Sequence, residues 1–211
     1  MTNLARRAVI AGAGAGAVGL MTSAPADANS EIQANEYWAN KGSVKLYLYR
    51  KRVAPKPGEQ QPVLFLVHGS SNSARTSYDL TVPGKGEYSA MNILAGFGFD
   101  VWTMDHDGYG HSGSSGNSSD IASGVEDLKA ALPVVVGETG QQKVHMYGTS
   151  SGAIRAGAYA QAEPQRVDRL ILSAFTYKGT GSPEIARRRA VAVERYRNKP
   201  RRLRDAAMIR S

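Results

Sequence analysis

The sequence predicts an α/β fold in which a mostly parallel sheet is flanked by helices. From Val63 onward, short apolar runs alternate with longer segments of helical character. The run at 63–67 is continuously apolar, which is typical of a parallel strand that is covered on both faces. Alternation of strands and helices indicates crossover connections, which build parallel sheets. The 211 residues, 42% of them hydrophobic, are enough for one domain with its own core.

Each predicted element follows from its local pattern. The six predicted strands lie at 36–38, 43–50, 63–67, 99–104, 143–147 and 169–175. Helices are predicted over 88–98, 121–136 and 153–162. Asp120 is a suitable N-cap for the second helix, and we expect Pro133 to kink or end it.

Residues 1–28 have the pattern of an export signal. Arg6 and Arg7 precede a weakly apolar run rich in Gly and Ala, and Ala26-Asp27-Ala28 matches an A-x-A cleavage site. The paired arginines resemble a twin-arginine leader. We expect cleavage after Ala28 and an exported product, periplasmic or extracellular. No other stretch approaches the roughly 18 apolar residues of a membrane span, so none is expected after leader removal.

Composition excludes several kinds of site. The chain has no cysteine, which excludes disulfides, thiolate metal sites and cysteine nucleophiles. The glycines at 14–19 fit G-x-G-x-x-G, but the second strand with a terminal acid that a dinucleotide fold needs is missing from the polar stretch after them. We therefore expect no cofactor and no metal.

The segment 143–162 carries the strongest chemical signal. A predicted strand leads into Gly148-Thr149-Ser150-Ser151-Gly152, which fits G-x-S-x-G, and a helical pattern follows. Glycines on either side of the serine would let the strand and the helix pass without a Cβ clash. The alternative is an ordinary Gly- and Ser-rich turn. The strand before and the helix after favour a nucleophile elbow.

Three motifs in this order resemble the α/β-hydrolase superfamily, in its serine esterase and lipase-like form. They are His68-Gly69 after the third strand, the D-x-D-G-Y-G-x-S pattern at 105–112 after the fourth, and the elbow at 148–152 after the fifth. The resemblance extends from residue 36 to about 180. Asp107 departs from the pattern, since many relatives carry Arg or Pro there.

The resemblance implies a mechanism and its residues. Ser150 would be the nucleophile, and the backbone N–H groups of Ser70 and Ser151 would form the oxyanion hole. Gly148 and Gly152 would be the elbow glycines. The implied reaction is acyl transfer on a small-molecule carboxylic ester, with an amide, lactone or thioester as the other options.

The general base does not follow from the motifs. Relatives use a histidine later in the chain than the serine, whereas the four histidines here all precede Ser150. His68 belongs to the oxyanion turn, and His145 is expected to be a hydrogen-bonded core histidine in its strand. His106 and His111 stay open as candidate bases.

The strand count raises the same question. The sequence predicts about six of the eight strands of the family core, whose acid and histidine follow the last two strands. We expect the chain to be the front part of a secreted serine hydrolase, inactive alone. The alternative is a non-catalytic α/β-hydrolase-like binding protein. Oligomeric state is left open.

The segment 184–211 is a basic tail after the core at 29–183. It carries ten Arg or Lys side chains against three acidic ones, while the whole chain has a formal net charge of +8. A basic cluster can bind nucleic acid or an anionic surface. No aromatic interleaving supports nucleic acid. In the family that the chain resembles, a cap over the active site begins at this position, so the resemblance implies a cap or lid helix, with Ile185, Ala192 and Tyr196 as a buried stripe.

Overall fold

The computed structural model describes residues 31–175 and 180–196, and its six-stranded sheet confirms the predicted fold class. The predicted leader and the end of the basic tail lie outside the described residues. The strands lie in the order β1-β2-β4-β3-β5-β6. The elements are β1 (Ile32–Lys41), β2 (Val44–Val53), β3 (Val63–Val67), α1 (Ala74–Tyr78), α2 (Ala90–Gly96), β4 (Asp100–Met104), α3 (Ile121–Thr139), β5 (Val144–Thr149), α4 (Ser151–Ala162), a 3₁₀ turn (Pro164–Arg166), β6 (Val167–Ser173) and α5 (Pro183–Tyr196).

The sheet has an antiparallel part and a parallel part. β1 and β2 form a hairpin, and β2 runs antiparallel to β4, whereas β4, β3, β5 and β6 are parallel. Parallel strands end at the same edge, so the segments that follow β3, β4 and β5 meet there. In the β3–β5 register, Val67 lies beside Gly148. The His68-Gly69 motif and the motif at 148–152 therefore lie side by side.

Helices cover both faces of the central strands. Alternate residues of β3 point to opposite sides, as the two-residue period of a strand requires. Phe65 packs in the cluster that includes Leu128 of α3 and Tyr159 of α4, while Leu66 packs with Met91 of α2 on the other face. All five residues of β3 are therefore buried.

Two local predictions need correction, and one helix was not predicted. Pro133 does not end α3, which continues to Thr139 and stops at Gly140 in the left-handed region (φ 70°). The short helix α1 has no counterpart in the sequence analysis. The helix predicted from residue 88 begins instead at Ala90, because the Ser89 side chain accepts a hydrogen bond from the Asn92 amide as its N-cap. Asp120 caps α3 as predicted, accepting from the Ser123 amide at 2.8 Å.

The tail helix is exposed where its side chains are described. Ile185 is half-buried, but Ala192 is exposed, so this part of the predicted buried stripe is not covered by residues 31–175 and 180–196. The Tyr196 side chain lies outside the described set. In the part of the chain that the structure describes, no helix is both long enough and apolar enough to cross a bilayer.

Candidate active site

Ser150 lies between β5 and α4 in a strained backbone conformation. Its φ of 56° and ψ of −125° are unfavourable for any residue with a Cβ. The turn is held because the Ser150 amide donates to the Ser173 carbonyl at 2.9 Å, at the end of β6. Strain of this kind is the geometry of a nucleophile elbow, which leaves the hydroxyl exposed above the sheet.

The two glycines beside the serine lie where the backbones come closest. A Cβ on Gly148 would lie 2.5 Å from the Gly152 carbonyl oxygen, and one on Gly152 would lie 2.3 Å from the Val67 carbonyl oxygen. Any other residue would push the helix off the sheet. The close passage that the pentapeptide suggested is therefore present, between α4, β5 and the end of β3.

The segment after β3 lies against the serine. A Cβ on Gly69 would be 3.7 Å from Ser150 Oγ and 3.1 Å from Ser150 Cβ. The next residue, Ser70, and the first residue of α4, Ser151, each have an amide with no acceptor inside the described chain. An amide in the first turn of a helix lacks an intrahelical partner. One of these N–H groups belongs to the residue that follows Ser150, and the other belongs to the residue that follows Gly69, which lies beside the Ser150 side chain.

The motif at 105–112 is a loop wound around Asp105. Its carboxylate accepts from the Ala74 amide at 2.7 Å and from the His111 amide at 2.9 Å. A Cβ on Gly110 would lie only 2.0 Å from that carboxylate, so only glycine fits. The Asp105 carboxylate therefore joins this loop to α1, which follows the His68-Gly69 turn.

Two residues of this loop, His106 and Asp107, form a largely buried polar cluster with Lys41, His68 and Asp127. The Asp127 carboxylate accepts from His106 Nδ1 at 3.0 Å and from the Asp107 amide at 3.1 Å. Lys41 Nζ pairs with Asp127 and lies 3.0 Å from Asp107. The His106 amide in turn donates to His68 Nε2 at 3.2 Å.

Burial determines the ionisation of this cluster. Burial, assisted by the neighbouring His106, lowers the pKa of His68 to about 3. Burial likewise lowers the pKa of His106. For Asp127, burial opposes ionisation, but the hydrogen bonds from His106 and Lys41 outweigh it and hold its pKa below the ordinary value. Both histidines are therefore neutral at physiological pH.

The histidines that stayed open as bases do not contact the serine. His106 is fully buried, with Nδ1 bound to Asp127. The centre of the His111 ring lies 4.7 Å from that of Tyr47. Tyr47 is in β2, and β2 lies three strand spacings, or about 14 Å, from β5. Within the described residues, no hydrogen bond joins an imidazole to Ser150.

The expectation of a hydrogen-bonded core histidine at position 145 is wrong. His145 is half-buried, and its Nδ1 lies 3.2 Å from the Asp168 carboxylate but makes no hydrogen bond within the described residues. Neither Lys41 nor Asp127 was predicted from the sequence to belong to the polar cluster. The signal for Asp127 was present, since it interrupts the buried face of α3 between Val125 and Leu128, and an acid at such a position needs a partner.

Known proteins match the chain over most of its length. The family described as Serine aminopeptidase, S33, matches residues 58–202. The chain is 31% identical over 129 residues (60% of its length) to a 2-hydroxy-6-oxononadienedioate/2-hydroxy-6-oxononatrienedioate hydrolase of Paraburkholderia phymatum. It is 28% identical over 158 residues (67%) to Lipase 3 of Drosophila melanogaster. In both cases it spans 39% of the relative's length.

Solved structures share the fold at low sequence identity. One is 2-hydroxy-6-oxo-6-phenylhexa-2,4-dienoate hydrolase from Rhodococcus, with a TM-score of 0.54 and 20% identity, covering 79% of this chain and 55% of that one. Another is a hydrolase from Pseudomonas aeruginosa, with a TM-score of 0.53 and 20% identity, covering 76% and 53%. At these identities the likeness establishes the fold alone.

Proposed function

The chain belongs to the serine aminopeptidase S33 family of α/β hydrolases, and on that premise we propose that Ser150 is the nucleophile of a serine hydrolase. The observation that carries the proposal is the strained backbone of Ser150 at the strand-to-helix turn, with Gly69 packed against its hydroxyl. A non-glycine residue in such a conformation is retained where the strain serves a function.

The proposed chemistry is acyl transfer. Ser150 Oγ attacks the substrate carbonyl while a general base takes its proton, and the carbonyl oxygen becomes a tetrahedral oxyanion. The oxyanion re-forms the carbonyl, and the alcohol leaves with the proton from the base. Water then adds to the acyl-serine in the same way, which releases the acid and returns a proton to Ser150 Oγ. The N–H groups of Ser70 and Ser151 stabilise the oxyanion, each by about 2.7 to 4 kcal/mol.

The proposed substrate is a small-molecule carboxylic ester. One relative is named a lipase, which favours an ester over an amide, lactone or thioester. The other relative is named for hydrolysis of an oxo-dienedioate, which has a ketone carbonyl and no ester bond, so that name does not support an ester.

We further propose that the proton acceptor is not one of the four histidines of this sequence. The support is that neither His106 nor His111 contacts Ser150 and that the chain spans 39% of its relatives' length. The 211 residues alone are then expected to hydrolyse esters near the background rate. Alanine at His111 should change that rate little; a large loss in this variant would identify His111 as the base.

Labelling with a fluorophosphonate tests the nucleophile. The probe should attach to the native chain at Ser150, slowly if the base is missing, and Ser150→Ala should abolish the adduct. Ser77→Ala, a serine on α1 away from the elbow, is the matched control and should label like the native chain. Labelling that persists in Ser150→Ala contradicts the assignment.

A second candidate is a non-catalytic binding protein on the same fold. It is favoured by the lack of an imidazole at Ser150 within the described residues. If a fluorophosphonate leaves the folded native chain unlabelled after prolonged exposure, whereas a known serine esterase labels under the same conditions, the binding protein is the better assignment.

Export and domain organisation belong to the same proposal. We propose a leader at 1–28, a core at 29–183 and a basic tail at 184–211 that begins a cap over the site. Replacing both Arg6 and Arg7 by Lys should block export by the twin-arginine route. An exported protein whose intact mass includes Met1 would contradict cleavage after Ala28.

A further inference from the structure

The carbonyl of Gly69 and the N–H of Ser70 belong to one peptide unit, and the structure fixes that unit from behind. His68 Nδ1 lies 2.7 Å from the Gly69 carbonyl oxygen. A trans peptide is planar, with its C=O and N–H on opposite sides. A side chain that holds the carbonyl oxygen therefore also sets the direction of the Ser70 N–H, which is a proposed oxyanion donor.

The hydrogen bonds of His68 define its protonation. A carbonyl oxygen only accepts, so Nδ1 must carry the proton that it donates to Gly69. Nε2 accepts from the His106 amide at 3.2 Å, so it must be unprotonated. Both contacts can exist together only in the neutral Nδ1–H tautomer.

His106 is itself held in two places by Asp127. One carboxylate oxygen of Asp127 accepts from His106 Nδ1 at 3.0 Å and from the next amide, that of Asp107, at 3.1 Å. Lys41 pairs with the same carboxylate and neutralises it. His68, His106 and Asp127 are each 0% exposed, so no water competes for these bonds.

We propose that Asp127 and His106 act through His68 as positioning residues for the Ser70 N–H of the oxyanion hole. The proposal rests on the assignment of Ser70 as an oxyanion donor. It extends that assignment to two residues that do not touch the substrate. The Asp127 carboxylate fixes the loop after β4 by accepting hydrogen bonds from that loop. The His106 amide donates to the His68 ring. The ring in turn donates to the Gly69 carbonyl and so fixes the Gly69–Ser70 peptide.

The rival explanation is that the cluster only stabilises the fold. Paired substitutions separate the two. In His68→Asn, the side-chain amide can still donate from near the Nδ1 position to the Gly69 carbonyl, whereas His68→Leu leaves that carbonyl without its donor. In the same way, His106→Asn keeps a donor for Asp127 and His106→Leu does not. His145→Asn, on the opposite end of β5, is the control.

Two readouts are needed. The first is the amide ¹H–¹⁵N resonance of Ser70 and the imidazole ¹⁵N shifts of His68, recorded on the full chain, which require no catalysis. The second is the rate constant for fluorophosphonate labelling of Ser150. Misplacing a transition-state donor by about 1 Å can cost on the order of 100-fold.

We expect the His68 shifts to show the neutral Nδ1–H tautomer. The Ser70 resonance should move in both leucine variants and stay close to the native position in both asparagine variants and the control. Labelling should slow on the order of 10- to 100-fold in the leucine variants and by less than about threefold in the asparagine variants. Thermal unfolding checks that each variant is folded. If His68→Leu does not fold, the comparison is made between His106→Asn and His106→Leu.

Several results would overturn the proposal. One is a native Nε2–H tautomer at His68. Another is a Ser70 resonance and labelling rate that follow the thermal stability of the variants instead of the presence of a donor. If the native chain does not label but the Ser70 resonance responds as expected, the serine hydrolase assignment fails while the positioning of the peptide holds.

Discussion

β3 and β6 are both apolar strands of the parallel part of the sheet, but their environments differ completely. β3 pairs with β4 on one side and β5 on the other, and all of its residues are buried. Among the described residues, β6 pairs with β5 only, and Leu170 and Ile171 are 36% and 57% exposed. An apolar run therefore indicates a strand, while its contribution to stability depends on the number of neighbours that cover it.

The largest expected difference lies on one helix that crosses both strands. On α4, Gly152 faces β3, where a Cβ would lie 2.3 Å from the Val67 carbonyl oxygen, whereas Gly157 faces β6 with its nearest atom, Leu172 Cδ1, at 3.9 Å. Gly152→Ala should lower the free energy of unfolding by more than about 4 kcal/mol. Gly157→Ala should raise it by up to about 1 kcal/mol, since alanine favours the helix. Urea denaturation measures both. Equal effects would contradict the close contact at the elbow.

A matched leucine pair tests the strands themselves. Leu66→Ala in β3 removes a fully buried side chain and should cost about 2 to 5 kcal/mol. Leu170→Ala in β6 removes one that is 36% exposed and should cost about 1 kcal/mol. Chemical denaturation of the two variants under the same conditions gives the comparison. A loss at Leu170 as large as that at Leu66 would mean that β6 is covered in solution.

The buried polar cluster should make the central region sensitive to acid. The pKa of His68 falls from 6.5 to about 3 on folding, so the unfolded chain binds the proton first. Stability should then decrease as the pH falls from about 6.5 towards 3, by roughly 1 kcal/mol per pH unit for this group. The pKa of Asp127 is also held low, which adds a loss of the same sign at lower pH. The free energy of unfolding, measured at several pH values, tests this. In His68→Asn this free energy should depend less steeply on pH near pH 5.

The smallest effect on stability is expected at the exposed strand. Ile171→Lys replaces a side chain that is 57% exposed and should change the free energy of unfolding by about 0.5 kcal/mol or less. Its effect on association should be larger, because a charge on an edge strand discourages pairing with another chain. Light scattering at rising concentration compares the variant with the native chain. Unchanged association would show that the β6 edge is not the contact.

Short windows of sequence were enough for most of the elements and for the turn at Ser150. The bounds of β3, the Asp120 cap and the strand–turn–helix around Ser150 all depend on residues within a few positions of each other. Helix and strand periods, side-chain capping and the steric needs of glycine are local properties. The sequence alone could therefore predict the α/β class and locate the serine.

The tertiary structure decided which distant groups meet. Lys41 ends β1, and Asp127 lies on α3, and only the packing of α3 on the sheet brings them to His106. Packing also removed His106 and His111 from consideration as contacts of Ser150, and it left β6 exposed while burying β3. No local pattern encodes these outcomes, because pairing and burial depend on the neighbours that the fold supplies.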